Sequence, residues 1–162
     1  MQGGLVSYGL LCALAIALLV AAVTDWRRRQ IDNWLNAAIA LGAPIFWIAT
    51  GMGWIDIGFQ IAIAAVMFLL LLGLFAAGWM GGGDVKLLTA LALWIHPVRF
   101  VELLVIMSVA GGVLTLVMLV WSRVQGKRGK IAVPYGIAIS FAGLSVLAGQ
   151  YVPIAHDGGF PG

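Results

Sequence analysis

The chain has 162 residues, 63% of them hydrophobic and only 9% charged, with a mean hydropathy of +1.09. A soluble domain of this length carries about 25% charged residues, so composition excludes one and leaves an integral membrane protein with no room for a separate soluble domain. The net charge of +3 fits contact with anionic lipid heads and argues against nucleic acid as a partner, while the single cysteine, Cys12, excludes an intrachain disulfide or a Cys-based zinc site.

A transmembrane barrel would show alternating segments of about ten residues. The apolar runs here are continuous and much longer, so the expected fold class is an all-α integral membrane protein. The first run, Leu5–Thr24, follows a start without the basic stretch of a cleaved signal peptide and reads as a retained span. It ends at Asp25, before Arg27, Arg28 and Arg29. The later runs are Leu35–Thr50, Ile55–Gly78, Val85–Ile95, Phe100–Trp121 and Tyr135–Val152. Spans need about 20 residues; the second is somewhat short and the fourth clearly so. The expectation is one domain of six transmembrane helices over residues 1–150, with a Gly- and Pro-rich tail, 151–162, left disordered.

Basic residues in short loops set orientation. With the N-terminus outside, the inner segments hold Arg27, Arg28, Arg29, Lys86, Arg123, Lys127, Arg128 and Lys130, leaving only Arg99 outside. Both termini are therefore expected outside and the basic loops in the cytoplasm. That map places Asp25, Asp32 and Asp84 on the cytoplasmic side, and Asp56, Glu102 and Asp157 on the other.

Between the third and fourth runs stands Gly81-Gly82-Gly83-Asp84. Twelve residues separate Asp84 from His96, roughly 18 Å of helix, so Asp84 is expected within the cytoplasmic leaflet. A carboxylate there is costly unless it meets a partner or a watery cavity. Taken singly, Asp25 reads as an interfacial acid beside the arginines and Asp84 as a helix N-cap. Together, on one face and with the glycine run, they read as an acid and base flanking a water, the equipment of an aspartyl hydrolase needing no metal or cofactor. Helix dipoles assign Asp84 as the base and Asp25 as its protonated partner. Two other functions fit a small polytopic protein: a transporter or channel subunit with a broken helix, and a non-catalytic assembly factor.

Gly81-x-Gly83-Asp84-x-Lys86 resembles the GxGDxK motif of type IV prepilin peptidases, membrane aspartyl proteases that include the archaeal preflagellin peptidases. Ile31-Asp32-Asn33 is similar to the Ile-Pro-Asn triplet that follows the first aspartate in that family. Val133-Pro134-Tyr135-Gly136-Ile137-Ala138 is similar to its Pro-Tyr-Gly-x-Ala stretch. The resemblance covers about residues 10–145. It implies Asp25 and Asp84 as catalytic, supported by Gly81, Gly83, Lys86, Asn33, Pro134, Tyr135 and Gly136. It further implies cleavage of a short basic leader from a prepilin or pilin-like substrate at the cytoplasmic face of a bacterial inner membrane. The chain departs from the family in carrying Asp32 where proline is usual. Bifunctional members carry paired CxxC motifs in a methyltransferase region; this chain has neither, so cleavage without N-methylation is expected. The short form resembles the peptidases of tight-adherence (Flp-type) pilus systems.

Other residues have simpler expected roles. Lys86 snorkels to the interface, Asn33 caps the second span, and Pro134 and Tyr135 start and anchor the last. Gly136 admits a neighbouring helix. Gly78 with Gly82, and Gly111-Gly112, suit close helix packing, which also allows a homodimer. Trp54 and Trp94 read as an outer aromatic belt, and His96 and His156 as solvated outer residues.

Overall fold

A computed structural model of the chain describes residues 2–125 and 133–157. All regular structure among them is helical: α1 (Gln2–Arg28), α2 (Asn33–Thr50), α3 (Trp54–Ala76), α4 (Gly82–Ala92), α5 (Pro97–Val124) and α6 (Tyr135–Asp157). The tail boundary expected after residue 150 is not a helix end, because α6 runs on to Asp157; residues 158–162 lie outside the described residues.

Among the described residues three helices, not the expected six, are long and apolar enough by themselves to cross a membrane: Gly4–Arg28, Trp54–Ala76 and Pro97–Val124. The physical reason is clearest at α4. Its 11 residues extend roughly 16 Å, about half the hydrocarbon thickness. It is wrapped by protein instead, with Val85, Leu87, Leu88, Ala90, Leu91 and Ala92 all buried. Helices α2, α3 and α6 pack around it, and α1 closes the bundle against α2 and α6.

A helix that stops inside a bundle leaves carbonyls without partners. Here they are met by side chains. Gln60 of α3, itself buried, donates Nε2 to the carbonyls of Ala92 and Ile95, each at 2.7 Å. Trp47 of α2 donates its indole N–H to Leu93 O at 3.0 Å. Trp94, expected in an outer belt, is buried and donates to Ile39 O at 2.8 Å; its ring fills the space a side chain at Gly42 would need. Trp54, by contrast, is 89% exposed, as a belt residue should be.

The turns follow from glycine. Gly51 and Gly78 have φ of 70° and 75°, and the next residue's N–H bonds five residues back, Met52 to Trp47 and Trp79 to Leu74. This is the Schellman ending, which wants glycine after the helix. Gly78 thus terminates α3 and turns the chain toward α4, and no helix packs on it. Gly111 does serve close packing, since a Cβ there would meet the Tyr135 ring at 2.8 Å, whereas Gly112 faces open space. Helix α5 is buried at Phe100, Leu103, Met107 and Gly111, and none of its described residues beyond Gly111 is buried.

Candidate active site

The buried face of α1 runs Leu14, Leu18, Ala21, a spacing of four and three that marks one helical stripe. The next residue in register is Asp25, and it is only 5% exposed. The helix does not end at Thr24 but continues through Arg28, so Asp25 points inward from the last turn. Its backbone is fixed by Arg29, whose N–H donates to Asp25 O at 2.8 Å. Arg29 has φ 52°, a left-handed conformation costing about 1–2 kcal/mol in a residue with a Cβ.

A buried carboxylate needs hydrogen-bond donors. Asp25 finds them at the start of α6, where the Gly136 N–H donates to Oδ2 at 2.7 Å and the Ile137 amide also bonds the carboxylate. A Cβ on Gly136 would lie 2.8–3.0 Å from three Asp25 side-chain atoms. Gly136 therefore admits the neighbouring helix α1, as expected from sequence, and does so at the carboxylate of Asp25.

Asp84 is not the cap of α4. Gly81 is, with φ −73° and ψ 144°, and Asp84 is the third residue of the helix. From there its carboxylate accepts from the Gly81 backbone amide, as the acid of a capping box does. A Cβ on Gly81 would approach Asp84 Oδ2 to 2.9 Å, and one on Gly83 would press against Ile31. Burial pushes the Asp84 carboxyl up from 3.8 to about 6; the charge of Asp25 adds to this, and the Gly81 amide opposes it.

Both acids line one open cavity of about 610 Å³, walled by the end of α1, the loop to α2, the Trp79–Gly83 turn, Val133 and Tyr135. That volume lies in the range of small-ligand and peptide sites, about 300–1,000 Å³. Asp32 lines it too. Asn33 lines it as well and holds Lys86 beside it, Lys86 Nζ donating to Asn33 Oδ1 at 2.8 Å. So Lys86 is tethered rather than merely snorkelling, and Asn33 sits just inside α2, whose cap is Asp32. Pro134 is buried behind the site, its carbonyl accepting from the Ile137 N–H at 3.3 Å. His96 lies at the other end of the bundle, in a second cavity, and the side chain of His156 is outside the described residues.

Sequence reasoning missed Asn36 and Gln60. Asn36 is buried, one turn beyond Asn33 on the same face, and its Nδ2 reaches Gly83 O at 3.5 Å. Its signal was the Asn-x-x-Asn spacing. That of Gln60 was a lone amide in an otherwise apolar helix.

Residues 12–116 match the type IV leader peptidase family, well over half the chain. The chain belongs to that family. Membership makes it a peptidase-type protein, and its three span-capable helices make it a membrane one. Asp25 and the Gly81–Lys86 segment fall within the matched residues, whereas Pro134, Tyr135 and Gly136 lie beyond them. No curated protein and no solved structure matches the chain.

Proposed function

We propose that this leader peptidase family member is an intramembrane aspartyl endopeptidase. It removes the basic leader of a type IV prepilin or pilin-like protein at the cytoplasmic face of a bacterial inner membrane, without N-methylation. The observation that carries the reading is the convergence of Asp25 and Asp84, from two different helices, on one cavity. Neither acid is held in an ion pair among the described residues.

The protonation order is the reverse of the one helix dipoles suggest. Asp25 accepts backbone amide bonds and so is placed to carry the charge. Asp84 holds the proton that two such carboxylates share. Asp25 takes a proton from a water lying between the two as that water attacks the scissile carbonyl carbon. Asp84 gives its proton to the carbonyl oxygen, forming the neutral tetrahedral diol. When the diol collapses, Asp84 recovers that hydroxyl proton and Asp25 passes its own to the leaving amine. The C–N bond breaks and both acids return to their starting states. The two close carboxylates share one proton throughout, which limits activity on both sides of the pH profile.

The topology that suits this chemistry has both termini outside, with α2, α4 and α6 completing a bundle around the three apolar spans. Of the nine basic residues only Arg99, paired with Glu102 at 2.9 Å, falls on the outer side, and the bias of the other eight favours that orientation. The test is cleavage of a co-expressed prepilin by wild type, Asp25→Asn and Asp84→Asn. Wild type cuts, and both variants reach the membrane but fail to cut. Normal cleavage by either variant overturns the dyad.

A further inference from the structure

We infer that Asp32 is a specificity-determining residue, binding a cationic side chain of the leader close to the scissile bond. The inference rests on the peptidase reading above and adds to it a residue the dyad does not need.

Asp32 stands at the N-cap of α2, where an Asp side chain ordinarily accepts a bond from one of the first helical amides. It does not do so here: only its backbone carbonyl accepts, from Leu35 and Asn36, and the side chain makes no capping bond. Nor does any ion pair or side-chain hydrogen bond reach it among the described residues. The nearby ammonium of Lys86 is held by Asn33 instead. The carboxylate is therefore not explained by local structure.

The backbone does not call for Asp either. Its φ is −65°, the angle a proline ring imposes, and its amide donates to no other backbone group among the described residues. What Asp supplies over proline is a half-buried negative charge on the wall of the cavity holding Asp25 and Asp84. Among the described residues, with Arg29 as the lining cation, the wall carries three carboxylates against one guanidinium. Of the three, Asp25 and Asp84 are committed to amide donors and to sharing a proton. Asp32 is left to meet a Lys or Arg entering with the peptide. A carboxylate partly shielded from water attracts an ammonium more strongly than one at a free surface.

The experiment compares three substrates that differ only in carrying Lys, Gln or Glu in the few residues preceding the scissile bond. Cleavage is measured with wild type, Asp32→Asn, Asp32→Pro and Asp32→Lys in detergent. In wild type kcat/KM favours the Lys substrate by about tenfold, the equivalent of one half-buried ion pair. The preference weakens as salt is raised. In Asp32→Asn and Asp32→Pro the ratio falls toward one, and in Asp32→Lys it inverts in favour of a Glu substrate. An unchanged Lys-over-Gln ratio in both Asn and Pro variants overturns the proposal while leaving the dyad standing. Binding of fluorescent Lys and Gln leader peptides to Asp84→Asn and to Asp32→Asn/Asp84→Asn in nanodiscs reads the same preference without cleavage. Equal binding of the two peptides to Asp84→Asn also overturns it. Loss of cleavage by wild type on every substrate would instead defeat the peptidase reading.

Discussion

At the scale of single residues, the site depends on places where a side chain is absent. Gly136 leaves the Asp25 carboxylate room to reach an amide, and Gly81 does the same for Asp84. Gly136→Ala puts a methyl group within 3.0 Å of the Asp25 carboxyl, and the acid must move to avoid it. A displacement near 1 Å at a reacting group costs on the order of a hundredfold, so kcat/KM should drop by about that factor with membrane levels unchanged. The ionisation of Asp84 makes a second, separate prediction. Its carboxyl is raised from 3.8 to about 6 in the folded chain, so the folded state binds the proton more tightly than the unfolded one. The stability this gives is complete below about pH 4 and is lost as pH rises through 6. Asp84→Asn cannot lose it. The variant should therefore gain on wild type in detergent melts between pH 4 and 7, by on the order of 2 kcal/mol. A pH-independent difference between the two melts would contradict the raised value.

At the scale of elements, α4 carries the argument. Its first turn presents Asp84 and its last is anchored by Gln60 and Trp47, so the depth of the acid is fixed from the far end of a rigid 11-residue rod. Gln60→Leu keeps the side chain's bulk but orphans the buried carbonyls of Ala92 and Ile95. A buried acceptor left unmade costs about 1–3 kcal/mol, so the melting temperature should fall. Gln60→Leu should lose more than Gln60→Lys, which keeps a donor. The N-terminal end is steadied differently, by Lys86 on Asn33 and by Ile31 packed over Gly83. Those contacts join the first turns of α2 and α4, which explains why the segments 31–33 and 81–86 read as a matched pair of motifs.

For the whole molecule, the two ends of the bundle differ in charge and in chemistry. The end bearing Arg27, Arg28 and Arg29 holds both proposed catalytic acids; the other holds His96, Asp56 and the Arg99–Glu102 pair. The orientation proposed above makes the first end cytoplasmic. In a Cys12→Ala background, a single cysteine at Gln30 should react with a membrane-impermeant maleimide only after the cells are opened. One at Asp56 should react in intact cells. The opposite pattern would invert the topology and move the site to the other face of the membrane.

Composition by itself determined that this chain is an all-helical membrane protein, because so few charges cannot clothe a soluble surface. Local pattern located both acids, since Asp25 ends the first apolar run just before three arginines and Asp84 follows a glycine run no ordinary helix start requires. Sequence did not determine how many helices span, because a short apolar run looks alike whether lipid or protein surrounds it. Only the packing showed α4 to be a half-length helix with its carbonyls met by Gln60 and Trp47. The roles of Gly136, Trp94 and Lys86 were likewise decided in three dimensions. Each depends on a partner between 53 and 111 residues away, and pairings of that kind are set by how helices dock rather than by what each one is made of.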